Sequence, residues 1–219
     1  MLRALGSPPS FVGLLAGFIV SVVVLAYAQA TAARALGDRA ALRRLGGIRR
    51  VIDPFGAVAA ALAGPGWGVA PEIPLRSRGR LAVALLAGPV AVALAGGLAL
   101  LGFVGAGGSA AILAGHGPGD AINGVALPAA QAFFAAMCLQ TLGMAVLALV
   151  PLPPLPGWRL LELLSTGSLG WQRARHYLVD NNLGVLALLI LLILPLGGTT
   201  PLLILILDTV VGSMLDVVR

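Results

Sequence analysis

The chain has 219 residues, of which 59% are hydrophobic and 10% charged, and its mean hydropathy is +1.01. Water-soluble domains are roughly 45–50% apolar and 25% charged, so this composition excludes a soluble globular protein and indicates one integral-membrane domain, residues 1–219. The formal net charge of +6 comes entirely from arginines that flank apolar stretches. Their placement indicates membrane topology and not nucleic-acid binding.

The apolar stretches predict an all-α membrane protein with four to five spanning helices. A spanning helix needs about 20 mostly apolar residues. Stretches of suitable length and composition cover residues 11–33, 81–104 and 129–150, and further hydrophobic helices cover residues 183–218. The last of these, which contains Asp208 and Asp216, either spans weakly or lies in the interface.

The segment 51–80 is apolar but does not predict a spanning helix. Glycine and proline interrupt it repeatedly, and arginines flank it on both sides. Both flanks therefore belong on the same side of the membrane, and irregular backbone at membrane depth requires cover by protein. We expect a re-entrant hairpin.

The arginines predict which side each connection faces. They are concentrated in residues 34–50, 76–80 and 159–175, whereas residues 105–128 contain none. By the positive-inside rule the first three regions are cytoplasmic and the last faces outward. The exclusive use of arginine over lysine is typical of a GC-rich bacterial genome, so we expect a multi-pass protein of the bacterial cytoplasmic (inner) membrane.

Three separated parts of the chain contain short motifs that occur in a fixed order. The first helix ends in ARALGD (residues 33–38). The hairpin contains DPFG (residues 53–56) and GWG (residues 66–68), and the next span contains AGP (residues 87–89). The third span is followed by PLPPLPGWR (residues 151–159). In this order the motifs resemble the site-2 protease family of intramembrane zinc metalloproteases. The resemblance implies a three-helix core with a re-entrant hairpin, plus C-terminal helices, and a groove that receives an unwound transmembrane segment.

The resemblance also locates residues that the family's chemistry would need and that this chain lacks. The family binds zinc through the two histidines of HExxH and the aspartate of an LDG motif, with the glutamate as general base. Alignment on ARALGD places Leu25 and Gln29 at the histidines and Ala26 at the glutamate. Pro156 stands at the aspartate, and Val92 and Ala148 stand at two supporting asparagines. We therefore expect no catalytic residues, no metal ligands and no zinc.

Independently of any alignment, the chain has only two histidines, His116 and His176, and neither belongs to an HExxH pattern. His116 and Asp120 have helix-like spacing but are more simply a solvated loop pair. Asp53, Gly66, Trp67 and Gly68 remain candidates for a groove or hairpin function.

The sequence thus predicts a catalytically inactive homologue, a pseudoprotease, that binds, regulates or supports other membrane proteins. The expected partners are membrane proteins or their transmembrane segments, together with the lipid bilayer, and not nucleic acid. Two alternatives stay open. One is an active intramembrane metalloprotease with atypical or partner-supplied ligands, and the other is a small transporter or a subunit of a larger complex.

Overall fold

The computed structural model describes residues 1–165, 168–195 and 200–217, and the fold of these residues is all-helical. Residues 196–199 and 218, which the sequence analysis assigned to the C-terminal helices, lie outside the described residues. The α-helices in the described part are α1 (Pro8–Ala35), α2 (Ala41–Leu45), α3 (Pro54–Ala63), α4 (Arg78–Gly105), α5 (Ala110–Ala114), α6 (Pro118–Asn123), α7 (Ala129–Leu147), α8 (Pro156–Leu164), α9 (Leu169–Arg175), α10 (Leu183–Ile193) and α11 (Leu202–Asp216).

Three of the described helices, α1, α4 and α7, are long and apolar enough to cross a membrane. A fourth candidate exists if the helical stretch Leu169–Asp180 and α10 form one span, broken by a bend of 70°. The fold is therefore that of an all-helical membrane protein with three to four candidate spans, against the four to five predicted. The difference lies in α11, whose 15 residues extend only about 22 Å, short of the ~30 Å hydrocarbon core.

The core is formed by α1, α4 and α7, which pack on one another through small residues. A Cβ at Gly13 of α1 would collide with the carbonyl oxygen of Phe133, and one at Gly17 would touch Gln140. The two helices therefore run parallel and approach closely because glycine lets their backbones meet.

Helix α4 runs antiparallel to α7. Gly96 of α4 faces Leu142, whereas Gly102, further along α4, faces Phe134. The C-terminus of α1 and the N-terminus of α4 consequently lie at one end of the core, together with α8, which follows α7. We call this the arginine-rich end, because all three predicted cytoplasmic regions meet there. The membrane side that it faces stays a prediction.

The hairpin comprises residues 51–77, and it contains a helix that the sequence analysis did not predict. Asp53 caps α3, since its Oδ1 accepts hydrogen bonds from the backbone N–H groups of Phe55 (2.7 Å) and Gly56 (3.2 Å). After α3 the chain returns in extended form. An antiparallel bridge between Ile52 and Gly68 closes the base of the hairpin. The predicted end at residue 80 was three residues too late, because α4 already begins at Arg78.

The glycines of the hairpin lie where backbones come into contact. A Cβ at Gly56 would collide with the carbonyl oxygen of Trp67, and one at Gly66 with that of Gly56. A Cβ at Gly68 would collide with Val22 of α1. The DPFG and GWG motifs therefore hold the return arm against α3 on one side and against α1 on the other.

The region between α4 and α7 is not a simple outward loop. We call residues 109–127 the second inserted segment, because it folds back along α7 toward the arginine-rich end. Pro118, at the start of α6, lies against Gly143 of α7, which is about 20 Å from the start of that helix. Ile122 of α6 lies against Gly64 at the tip of the hairpin. Two segments inserted from opposite ends thus meet inside the bundle.

Helices α8 to α11 complete the fold. Between α8 and α10 the described residues are mostly helical, with α9 followed by a π-helical turn, His176–Asp180. Trp158 of α8 stacks on Trp171 of α9 with ring centroids 5.1 Å apart. The Nη1 of Arg159 donates to the carbonyl oxygen of Pro71 at 3.0 Å, which fixes α8 against the return arm.

The close contact at Gly56 generates a matched test. Replacing Gly56 with alanine should destabilise the protein by about 1–3 kcal/mol, because the new methyl group displaces the return arm. Gly97→Ala is the control, since Gly97 is also helical but its Cβ meets open space; it should be neutral or stabilise by up to ~1 kcal/mol. Thermal unfolding in detergent measures both. Equal effects would contradict the packing described for the hairpin.

Candidate functional site

Positions that are distant in sequence meet around one small cavity near the arginine-rich end of the core. Leu25 of α1 reaches it from one side, and Ala148 and Pro156 reach it from the turn after α7. The return arm of the hairpin contributes its GWG motif, residues 66–68. Six of the positions that the sequence analysis singled out therefore share one location, which we call the core cavity.

The core cavity has a volume of about 20 Å³, which is room for a single water molecule. Its other lining residues are also apolar or backbone groups: Val22, Ala70, Met144, Pro154 and Leu155. Two polar groups belong to the return arm. The N–H of Gly66 points to the sulfur of Met144 at 3.3 Å, and the buried indole N–H of Trp67 has no hydrogen-bond partner among the described residues.

The chemistry available in the core cavity is therefore limited. None of its described lining residues carries a carboxylate, imidazole or thiolate, and these are the groups that bind zinc or accept a proton. Across the described residues, no group of three or more His, Cys, Asp or Glu side chains is close enough to hold a metal ion. The described residues that line the cavity therefore offer no side chain that could activate a water molecule.

Gln29 lies one helical turn beyond Leu25 but outside the core cavity. Its side chain is fully buried against α4, where its Nε2 donates to the carbonyl oxygen of Leu85 at 2.9 Å. That carbonyl would ordinarily accept the N–H of residue 89, which is Pro89 and has no N–H to donate. Gln29 thus satisfies a backbone group that proline leaves free. The AGP motif and Gln29 form one structural unit.

The remaining candidates are elsewhere. Ala26 is fully buried in α1 but does not line the core cavity, and Asp53 is the helix cap already described. His116 and Asp120 do not pair with each other. The Nδ1 of His116 lies 2.9 Å from the carbonyl oxygen of Ile112, and Asp120 accepts from the N–H of Gly117.

No protein-family model, curated protein or solved structure matches this chain. The resemblance to site-2 proteases therefore rests on the sequence motifs alone and stays a prediction.

Sequence analysis named Asp208 but did not identify its partner. Asp208 of α11 accepts a hydrogen bond from the backbone N–H of Gly119, at the start of α6, with a distance of 2.7 Å. A Cβ at Gly117 or Gly119 would collide with the Asp208 side chain. Burial raises the pKa of this carboxyl; the bond from Gly119 opposes the shift, and nearby Asp120 adds to it. The acid in an apolar helix was visible in the sequence, but a backbone partner 89 residues away was not.

The unit of Gln29 and Pro89 can be tested with a double-mutant cycle. Gln29→Leu should destabilise the protein by about 1–3 kcal/mol, because the buried carbonyl of Leu85 loses its donor. Pro89→Ala in the same chain restores a backbone N–H, so the double variant should recover much of that loss, with a coupling of about 1–2 kcal/mol. Additive effects in thermal unfolding would show that the two residues do not serve the same carbonyl.

The contact between α11 and α6 generates a second stability test. Asp208→Ala should cost about 1–2 kcal/mol because the N–H of Gly119 loses a charged acceptor, while Asp208→Asn keeps an acceptor oxygen and should cost less. Asp216→Ala, on the exposed side of the same helix, should change stability by no more than about 0.5 kcal/mol. If Asp208→Ala and Asp216→Ala unfold at the same temperature, the contact contributes nothing.

Proposed function

We propose that this chain is a membrane-embedded scaffold of the site-2 protease type that has lost the metal centre and binds segments of other membrane proteins. The observation that carries the proposal is the meeting of Leu25, Ala148 and Pro156 with the GWG motif around the core cavity. The resemblance assigns the first three to the lost catalytic site and the motif to the hairpin. All three line the same cavity, although Ala148 and Pro156 follow Leu25 by 123 and 131 residues along the chain.

Loss of catalysis follows from the side chains at these positions. A hydrolytic zinc needs about three protein ligands and an open position for water, and Leu25 and Pro156 have no side-chain donor atom. Gln29 has a neutral amide, and its nitrogen is already bonded to Leu85. Ala26 cannot accept a proton. A protein with these residues can keep the shape of the family's site without its chemistry.

Binding is supported by the outer face of the hairpin. Phe55, Val58 and Leu62 lie on one side of α3 at spacings of three and four residues, and they are 65%, 55% and 49% exposed. A helix with an exposed apolar stripe at this spacing can pack against the apolar face of a partner helix. The hairpin behind it is held firmly by its glycine contacts and by Arg159. We therefore assign the partner-binding role to the hairpin.

Zinc analysis of the purified protein tests the loss of chemistry. We expect far less than one zinc per chain and no cleavage of transmembrane substrates. The informative variant restores the family residues as Leu25→His, Ala26→Glu, Gln29→His and Pro156→Asp, with Pro89→Ala added so that the carbonyl of Leu85 keeps a donor.

About one zinc per restored chain would place these positions at a vestigial site. The matched control omits Pro156→Asp and should bind zinc at least tenfold more weakly, because one ligand is missing. Stoichiometric zinc in the wild-type protein, with proteolysis abolished by a chelator, would falsify the proposal and favour an enzyme with atypical or partner-supplied ligands.

A small transporter is the second candidate, and the meeting of two inserted segments from opposite ends favours it, since many transporters place their binding sites where broken helices meet. In this chain, however, side chains of the protein already bond to the C-terminal end of α3 and the N-terminal end of α6. Gln140 donates to the carbonyl oxygen of Gly64, and Asp208 accepts from Gly119. Solute uptake into proteoliposomes that depends on Gln140 and Asp208 would decide for transport.

A further inference from the structure

A second, larger cavity lies at the arginine-poor end, between the hairpin tip and the C-terminal helices. Its volume is about 490 Å³, within the range of small-molecule and lipid sites. One part of its lining is aliphatic: Leu62 and Ala63 come from the end of α3, Ile122 from α6, Leu192 from α10 and Ile204 from α11. The other part is polar and includes Arg3, Asn123 and Thr200. The aliphatic part suits a hydrocarbon chain, and the polar part suits a head group.

The mouth of this cavity carries one positive charge, Arg3. Arg3 precedes α1, so it lies at the opposite end of the core from the other described arginines. Its side chain is exposed, and no described carboxylate is within ion-pairing distance of it. None of the described lining residues is acidic. Asp208, which lies behind the lining residue Gly119, accepts a hydrogen bond from the N–H of that glycine. An unpaired guanidinium beside an aliphatic cavity is complementary to an anionic head group with an attached acyl chain.

We infer that this cavity binds an anionic phospholipid, with one acyl chain between α3, α6, α10 and α11 and the phosphate at Arg3. The site is separate from the core cavity and does not depend on the proposed pseudoprotease function. A bound lipid fills the space between the hairpin tip and the C-terminal helices. It thereby joins two parts of the protein whose direct packing is incomplete.

Native mass spectrometry of the full chain, purified in detergent and incubated with defined lipids, tests the site. The probes are phosphatidylglycerol, phosphatidylethanolamine and oleate, and we expect one phosphatidylglycerol to be retained per chain in preference to the other two. Arg3→Gln should weaken this retention about fivefold, the effect of one arginine on an anionic lipid. Arg39→Gln, which removes an exposed arginine at the other end, is the control and should leave retention unchanged.

A second pair of variants tests the acyl-chain part without altering charge. Leu62→Trp narrows the cavity from a half-exposed position and should reduce retention at least fivefold, whereas Leu94→Trp, at an exposed position of α4 outside the lining, should not. Equal retention of phosphatidylglycerol and phosphatidylethanolamine, or equal losses in Arg3→Gln and Arg39→Gln, would overturn the site. Preferential, Arg3-dependent retention of oleate would replace the phospholipid by a free fatty acid.

Discussion

The fold depends on how its few buried polar side chains serve backbone groups that the helices cannot satisfy themselves. An unpaired N–H or C=O in an apolar interior costs several kcal/mol. Gln29 satisfies the carbonyl that Pro89 leaves free, and Gln140 satisfies that of Gly64 at the hairpin tip. Asp208 does the same for an N–H of α6. At these three irregular points of the described backbone, one side chain from another helix supplies the missing partner.

These few hydrogen bonds explain why the apolar core can still specify one arrangement of α1, α4 and α7. Glycines let α1, α4 and α7 approach closely, and close approach by itself allows sliding between neighbouring helices. The directional bonds of Gln29 and Gln140 remove that freedom, because each amide reaches one backbone oxygen in one register. Apolar contact supplies proximity, and a few amides supply the alignment.

Sequence patterns predicted the ends of the three long helices to within about three residues, because the length and hydrophobicity of a local stretch decide whether it forms a spanning helix. Of the four positions that the resemblance assigns to the lost site, Leu25 and Pro156 line the core cavity, whereas Ala26 and Gln29 do not. The helix α3 was missed because its glycines and prolines are typical of irregular backbone. Here Pro54 starts the helix and Gly56 packs against Trp67. The second inserted segment was also missed, since its burial depends on α7 and α11 and not on its own composition.

The bond between Gln140 and Gly64 has a consequence for how the protein is made. The two residues are 76 positions apart, which at about 5–20 residues per second corresponds to roughly 4–15 s of synthesis. Throughout that interval the carbonyl oxygen of Gly64 has no Gln140 amide from which to accept a hydrogen bond. If the hairpin packed among α1 and α4 during this time, that carbonyl would be exposed to hydrocarbon. The bond that satisfies the carbonyl of Gly64 therefore forms only after α7 has been synthesised, so the hairpin and α7 complete their packing together.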